Sequence, residues 1–115
     1  IHYKYYKKLS TLNSKLKIWH ESFIIESSYW LNTICLKNEI YIDKIIENGK
    51  KKNIDFRRCF YPMHILPAFK NFVCKDFDYS QSKELFDRLV CLPSGLNLQD
   101  DQISAVCEVI EYSTR

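Results

Sequence analysis

A chain of 115 residues, 46% hydrophobic and with only two glycines and three prolines, has room for one domain with a real core; this composition argues against disorder and against a turn-rich β-sandwich. The net charge of +3 is too small to be a nucleic-acid footprint by itself. The five cysteines, at 35, 59, 74, 91 and 107, are odd in number and contain no Cys-x-x-Cys, which argues against a disulfide framework or a zinc site and for buried, reduced thiols in a cytoplasmic protein.

Ile1 to about Leu12 reads as a helix, because Ile1, Tyr5, Leu9, Leu12 and Leu16 recur at roughly helical spacing while Lys4, Lys7 and Lys8 fill the other face. The chain opens inside this pattern and without an initiator Met, so it reads as a piece of a longer protein. No signal peptide and no apolar run of membrane length are visible. Residues 13–26 read as irregular, with a short strand at Leu16–Trp19. Tyr29–Leu36 is rich in aromatic and β-branched residues and nearly all apolar, which predicts a central strand covered on both faces. Asn38 is placed to cap a helix whose inward positions are Ile42, Ile45, Ile46 and Gly49. A glycine on that buried face costs about 1 kcal/mol against alanine and lets the helix approach the sheet. Asn53 supplies a left-handed stop, with Lys50, Lys51 and Lys52 at the negative helix end.

Ile54–Phe60 reads as a second strand. Pro62 and Pro67 bracket an irregular turn, and residues 68–78 read as loop or broken helix. Ser82–Leu89 is a short helix with Leu85 and Leu89 inward, and Val90–Leu92 a third strand ended by Pro93. Asn97 and Asp100 imitate a capping box for a closing helix, whose apolar stripe is Ile103, Val106, Cys107 and Ile110. The order predicts an α/β (α+β) fold: a short, mostly antiparallel three-stranded sheet with helices packed on one face. Trp30, Ile34, Ile45, Ile46, Leu85, Leu92, Val106 and Ile110 are the expected core. Aromatic residues make up 15% of the chain, more sticky area than a small monomer needs, which points to a partner surface.

Hydrogen-bonding chemistry is concentrated in Arg57-Arg58-Cys59-Phe60-Tyr61-Pro62-Met63-His64. Elsewhere there is no phosphate-binding glycine loop, no His/Cys cluster and no serine in a nucleophile elbow. Asp100 and Asp101 are explained by a helix start, and Asp76 and Asp78 read as a solvated loop. Arg57 is either a surface strand residue or a fork for a carboxylate or phosphate. His64 is either an ordinary loop histidine or a hydrogen-bonding group, and Tyr61 reads more simply as a packed aromatic than as an acid.

Three segments carry a resemblance. Ile54-Asp55-Phe56-Arg57-Arg58-Cys59-Phe60-Tyr61-Pro62-Met63-His64 resembles the I-E-T-R-P-x-F-Y-P-x-H stretch of sugar aminotransferases of the DegT/DnrJ/StrS type. Ser27-Ser28-Tyr29-Trp30-Leu31 resembles their S-S-Y-W strand. Cys91-Leu92-Pro93-Ser94-Gly95, followed by Leu98-Gln99-Asp100-Asp101-Gln102, resembles their C-L-P-S-G ending. The departures are Arg58 for proline, Gln99 for a capping threonine, Asn53 for glycine and Gly49 for leucine; Arg58 adds charge near the expected site. The resemblance covers only that family's C-terminal small domain, a fold-type-I unit, with residues 1–14 the end of the linking helix and 15–115 the small domain. It implies pyridoxal phosphate, bound as a Schiff base by a lysine of a missing N-terminal large domain, and no catalytic residue in this chain, which would be inert alone. It further implies glutamate as amino donor, a nucleotide-linked keto sugar as acceptor, a role in surface polysaccharide (lipopolysaccharide or O-antigen) biosynthesis, and a homodimer in the cytoplasm. Arg57, His64, Tyr61 and Tyr29 are the residues expected near substrate or cofactor; no metal, nucleic acid or membrane is implied. The alternative, from the residues alone, is a small binding domain, possibly for RNA, using Lys4, Lys7, Lys8 and Lys50–Lys52 with nearby tyrosines.

Overall fold

The computed structural model describes residues 1–19 and 26–115; the rest of the irregular stretch expected over 13–26, His20 included, lies outside the described residues. In chain order the elements are α1 (His2–Leu9), continued by a 3-10 turn at Ser10–Leu12, β1 (Leu16–Ile18), β2 (Asn32–Leu36), α2 (Tyr41–Lys51), β3 (Arg57–Arg58), 3-10 turns at Met63–Ile65 and Pro67–Phe72, α3 (Ser80–Arg88), β4 (Leu89–Leu92) and α4 (Asp100–Ser113). Among the described residues the sheet is antiparallel throughout and has four strands rather than three, in the order β1-β2-β4-β3.

Side-chain alternation divides the sheet into two faces. Leu16, Ile18, Ile34, Leu36, Val90 and Leu92 point to the core, where they meet Tyr5 and Leu9 of α1, Ile42 and Ile45 of α2, and Ile103, Val106 and Ile110 of α4. Lys17, Thr33, Cys35, Leu89, Cys91 and Arg57 are the cross-strand set on the outer face. Helix α3 approaches β2, and its Glu84 and Arg88 lie close enough to act electrostatically on Cys35 of the outer face. The helices that bury side chains against the sheet, α1, α2 and α4, therefore share one core face, as expected. From Arg57 to Leu89 no side chain is buried, and this stretch carries several exposed apolar groups, Phe60, Met63, Phe72 and Phe77 among them.

Six of the eight expected core residues pack there: Ile34, Ile45, Leu92, Val106 and Ile110 are buried and Ile46 is half-buried against them. Two do not. Trp30 is 72% exposed, because Tyr29 adopts a left-handed backbone (φ 47°) that breaks the expected strand and delays β2 to Asn32. Leu85 is 40% exposed, since α3 buries none of its residues. Only Cys35 and Cys107 are buried thiols; Cys59 and Cys91 are half-buried and Cys74 is exposed.

Local chemistry explains the boundaries. Helix α2 ends in a Schellman motif: Asn53 is left-handed (φ 57°), Ile54 N–H donates to the Gly49 carbonyl at 2.9 Å and Asn53 N–H to the Lys50 carbonyl at 3.1 Å. That cap occupies Ile54, and the strand expected over 54–60 pairs with β4 at Arg57–Arg58 alone. Asn38 does not cap α2; its Oδ1 accepts the Ile40 N–H at 3.0 Å in a turn before the helix. The capping box of α4 is formed by Gln99 and Gln102, two residues beyond the expected pair of Asn97 and Asp100, with the Gln102 side chain accepting the Gln99 N–H at 2.9 Å.

Gly49 sits on the buried face of α2, and a Cβ there would run into the Phe56 ring and lie 2.8 Å from the Ile54 carbonyl oxygen. The backbone oxygen belongs to the Schellman cap and cannot yield. Gly49→Ala should therefore lower stability by about 1–3 kcal/mol, overpacking outweighing the better helix propensity. Gly95, which faces open space, should accept alanine within about 0.5 kcal/mol. Urea unfolding followed by circular dichroism compares the two.

Candidate functional site

The fold brings the three motif segments to one end of the sheet. Asn32 stands opposite Leu92, and Arg57 opposite Cys91. The Trp30 and Phe60 rings stack with centroids 6.1 Å apart, joining the segment before β2 to the one after β3. The Cys59 and Cys91 sulfurs are 3.1 Å apart, joining β3's extension to β4. Ser94 closes the third side: its hydroxyl accepts from the Asn32 backbone N–H at 3.2 Å and Nδ2 at 3.1 Å, and donates to the Leu92 carbonyl at 3.0 Å. One donor and two acceptor sites are then all used. The other end of the Asn32 amide, Oδ1, accepts from Nδ1 of buried His2 at 3.1 Å, which fixes the proton on that ring nitrogen. Tyr5, fully buried in α1, donates its hydroxyl to the Pro93 carbonyl at 2.9 Å, and burial raises its pKa.

Around this junction the four candidate side chains take separate partners. Arg57 lies on the outer face, exposed, with Nε 2.7 Å and a terminal nitrogen 2.6 Å from Asp55 Oδ2; the hydrogen bond to Asp55 raises its pKa. Tyr61 leans on Phe86 of α3 (4.6 Å), and His64 stacks on Tyr79 (4.4 Å) beside a small hollow lined also by Met63, Phe69 and Phe72. Tyr29 stacks on His2 at 3.9 Å and lines an open cleft of about 540 Å³ with Asn32, Ser94 and Leu96. Tyr61 lies beyond β3, which ends at Arg58, so strand alternation does not place it on one face with Arg57. Arg58, the departure flagged for its charge, turns to the opposite side and pairs with Asp43 of α2 at 2.9 Å.

The lysine clusters of the alternative reading are partly neutralised: Lys4 pairs with Asp100 and Lys51 with Glu47 at 2.9 Å.

The model of the DegT/DnrJ/EryC1/StrS aminotransferase family matches residues 1–111. The chain belongs to this family. The GDP-perosamine synthase of Vibrio cholerae is 33% identical over 86 residues, 73% of this chain and 23% of that protein. The GDP-perosamine synthase of Escherichia coli O157:H7 is 28% identical over 105 residues, covering 91% and 28%. Among solved structures, S. venezuelae DesV in complex with a ketimine intermediate superposes with a TM-score of 0.82 at 17% identity over 99% of this chain and 30% of that one. Helicobacter pylori PseC, an aminotransferase involved in the biosynthesis of pseudoaminic acid, gives 0.79 at 14% identity over 98% and 30%. At these identities the structural likeness shows the fold. The chain spans about a quarter of the curated relatives it matches.

Pyridoxal phosphate accompanies this family, and the chain's own lysines can be tested for its imine. Such a lysine must give up its proton, which burial promotes. Lys15 is half-buried and every other lysine is exposed. The lysines present do not fit the anchoring role.

Sequence reasoning named the segments but missed the Asn32–Ser94–His2 chain that ties them. A polar residue inside the apolar run 29–36 was the available signal. Removing the central hydroxyl, Ser94→Ala, leaves two Asn32 donors without their acceptor. It should cost about 1–3 kcal/mol in the urea unfolding free energy, with helix content retained by circular dichroism in the folded baseline.

Proposed function

We propose that the chain is the small domain (residues 15–115, with 1–14 the end of a linking helix) of a pyridoxal-phosphate-dependent sugar aminotransferase. The full-length protein moves an amino group from glutamate to a nucleotide-linked keto sugar for surface polysaccharide. The observation that carries this reading is the junction of the three motif segments beside a long apolar surface. Trp30, Phe60, Met63 and Phe72 are each more than half exposed, and apolar groups left so bare suit a large domain docked against them. That domain holds the lysine and the cofactor, whose electron-sink chemistry this chain cannot supply. The names of the two GDP-perosamine synthases, which state a GDP-linked product, support a nucleotide sugar as substrate.

In this reading the chain binds and orients. Arg57 is the group for a carboxylate or phosphate, because its planar fork makes two parallel bonds; its exposed pairing with Asp55 is one that an incoming anion can replace. His64, Tyr61 and Tyr29 complete the polar lining, and closure of the apolar face excludes water. The active enzyme is a cytoplasmic homodimer. No helix among the described residues is long and apolar enough to cross a membrane.

The test is the full-length polypeptide assayed for transfer from glutamate to nucleotide-linked keto sugars. Arg57→Ala should lower kcat/KM about 10- to 100-fold, the range of a lost charge-assisted hydrogen bond, with an unchanged circular dichroism spectrum. Arg57→Lys should restore only part, since a point charge cannot make both bonds. Unchanged kinetics in both variants would reduce Arg57 to a surface ion pair. Absence of any transfer to such sugars would overturn the reading itself.

A further inference from the structure

Among the five cysteines, two face each other. Arg57 stands directly opposite Cys91 in the β3–β4 ladder, so Cys59, two residues on, lies on the same outer face and diagonally beside Cys91. Their sulfurs are 3.1 Å apart, about 1 Å beyond a disulfide bond. Both are half-buried, so a small reagent can reach them, and neither belongs to the packed core. Their surroundings allow the last ångström. Strand β3 is a two-residue edge, and the described chain between it and β4 makes no ladder pairs.

We propose that Cys59 and Cys91 form an intramolecular disulfide when the protein meets a hydroperoxide, and that a small thiol reverses it. In the first step the Cys91 thiolate attacks one peroxide oxygen. The S–O bond forms, the O–O bond breaks, and the leaving alkoxide or hydroxide takes up a proton. In the second, the Cys59 sulfur attacks the sulfenic sulfur of Cys91. The S–S bond forms, the S–O bond breaks, and hydroxide leaves as water with the proton of Cys59. Two thiols and one hydroperoxide give one disulfide, one alcohol or water, and one further water. Two electrons pass from sulfur to oxygen.

The electrostatics favour this order. The sulfur–sulfur hydrogen bond, in which either thiol can donate, and the nearby Arg57 together hold the Cys91 thiol below its ordinary value against its own desolvation. The same contact pushes Cys59 up. The two buried thiols are poor competitors: burial raises Cys35, and raises Cys107 to about 11. Exposed Cys74 has no second sulfur to resolve an oxidised form among the contacts of the described residues. The product would staple the start of the exposed stretch to the centre of the sheet, one ladder step from Arg57.

The experiment treats the reduced full-length polypeptide with hydrogen peroxide, blocks remaining thiols by alkylation and maps peptides without reduction. The expected result is one linked peptide pair, Cys59 with Cys91, that dithiothreitol separates. It should persist in Cys74→Ser and vanish in Cys59→Ser, where dimedone instead captures Cys91 as its sulfenic acid. Recovery of both Cys59 and Cys91 as alkylated free thiols after oxidation has consumed Cys74 would overturn the proposal. So would a bridge that runs through Cys74, or one that joins two polypeptides.

Discussion

Strand β2 is hydrogen-bonded along both edges, to β1 and to β4, and every residue in it except Thr33 is buried. A strand so placed has no freedom of register. A slip by one residue would turn Ile34 and Leu36 outward and bring Thr33 and Cys35 into the apolar core. Asn32 fixes the same register from its end, because its amide reaches Ser94 only when it lies opposite Leu92. The positions of Arg57, Cys59 and Cys91 follow from that pairing, since β3 hangs on the far edge of β4. The core thus specifies the positions of Arg57, Cys59 and Cys91, none of which belongs to it.

Much of this frame was readable in the order of residues. Helical stripes such as Ile42, Ile45 and Gly49, or Ile103, Val106 and Ile110, report burial directly because a packed helix allows only one apolar face. Asn53 was readable because few residues tolerate a left-handed turn. Trp30 and Leu85 were not, and for one reason. An apolar side chain states that it avoids water but not what covers it, and these two lie on the surface that this chain leaves bare. Tyr29 shows the limit of strand propensity: its aromatic ring favours a strand while its backbone refuses one. At the site, the segments were legible as motifs. The partners of their side chains were not, because Asp55, Tyr79, Phe86 and His2 are chosen by loop geometry rather than by spacing.

Stability and chemistry are divided along the chain. The buried apolar groups come from α1, β1, β2, α2, β4, α4 and Phe56, whereas the stretch from Arg57 to Leu89 contributes none. That stretch is held by ring contacts and surface ion pairs such as Lys83 with Asp87, which are weak in water. Local opening there costs far less than unfolding the core. A surface of this kind can adjust to whatever packs on it while the helices beneath stay fixed.

The pairing of Asn32 with Leu92 also has a consequence in time. During synthesis β2 leaves the ribosome long before β4 exists, so the strand that belongs at the centre of the sheet must wait with one edge open. Helix α2 can form meanwhile from local contacts alone, with its Schellman stop already in place. The sheet closes only when Leu89–Leu92 arrives, after the whole exposed stretch has been made. Closing a loop of that length delays the long-range pairing, because its entropy is lost before any contact rewards it. The architecture therefore places its most vulnerable moment before its last strand, when Thr-Ile-Cys-Leu is an uncovered template for pairing with another nascent chain.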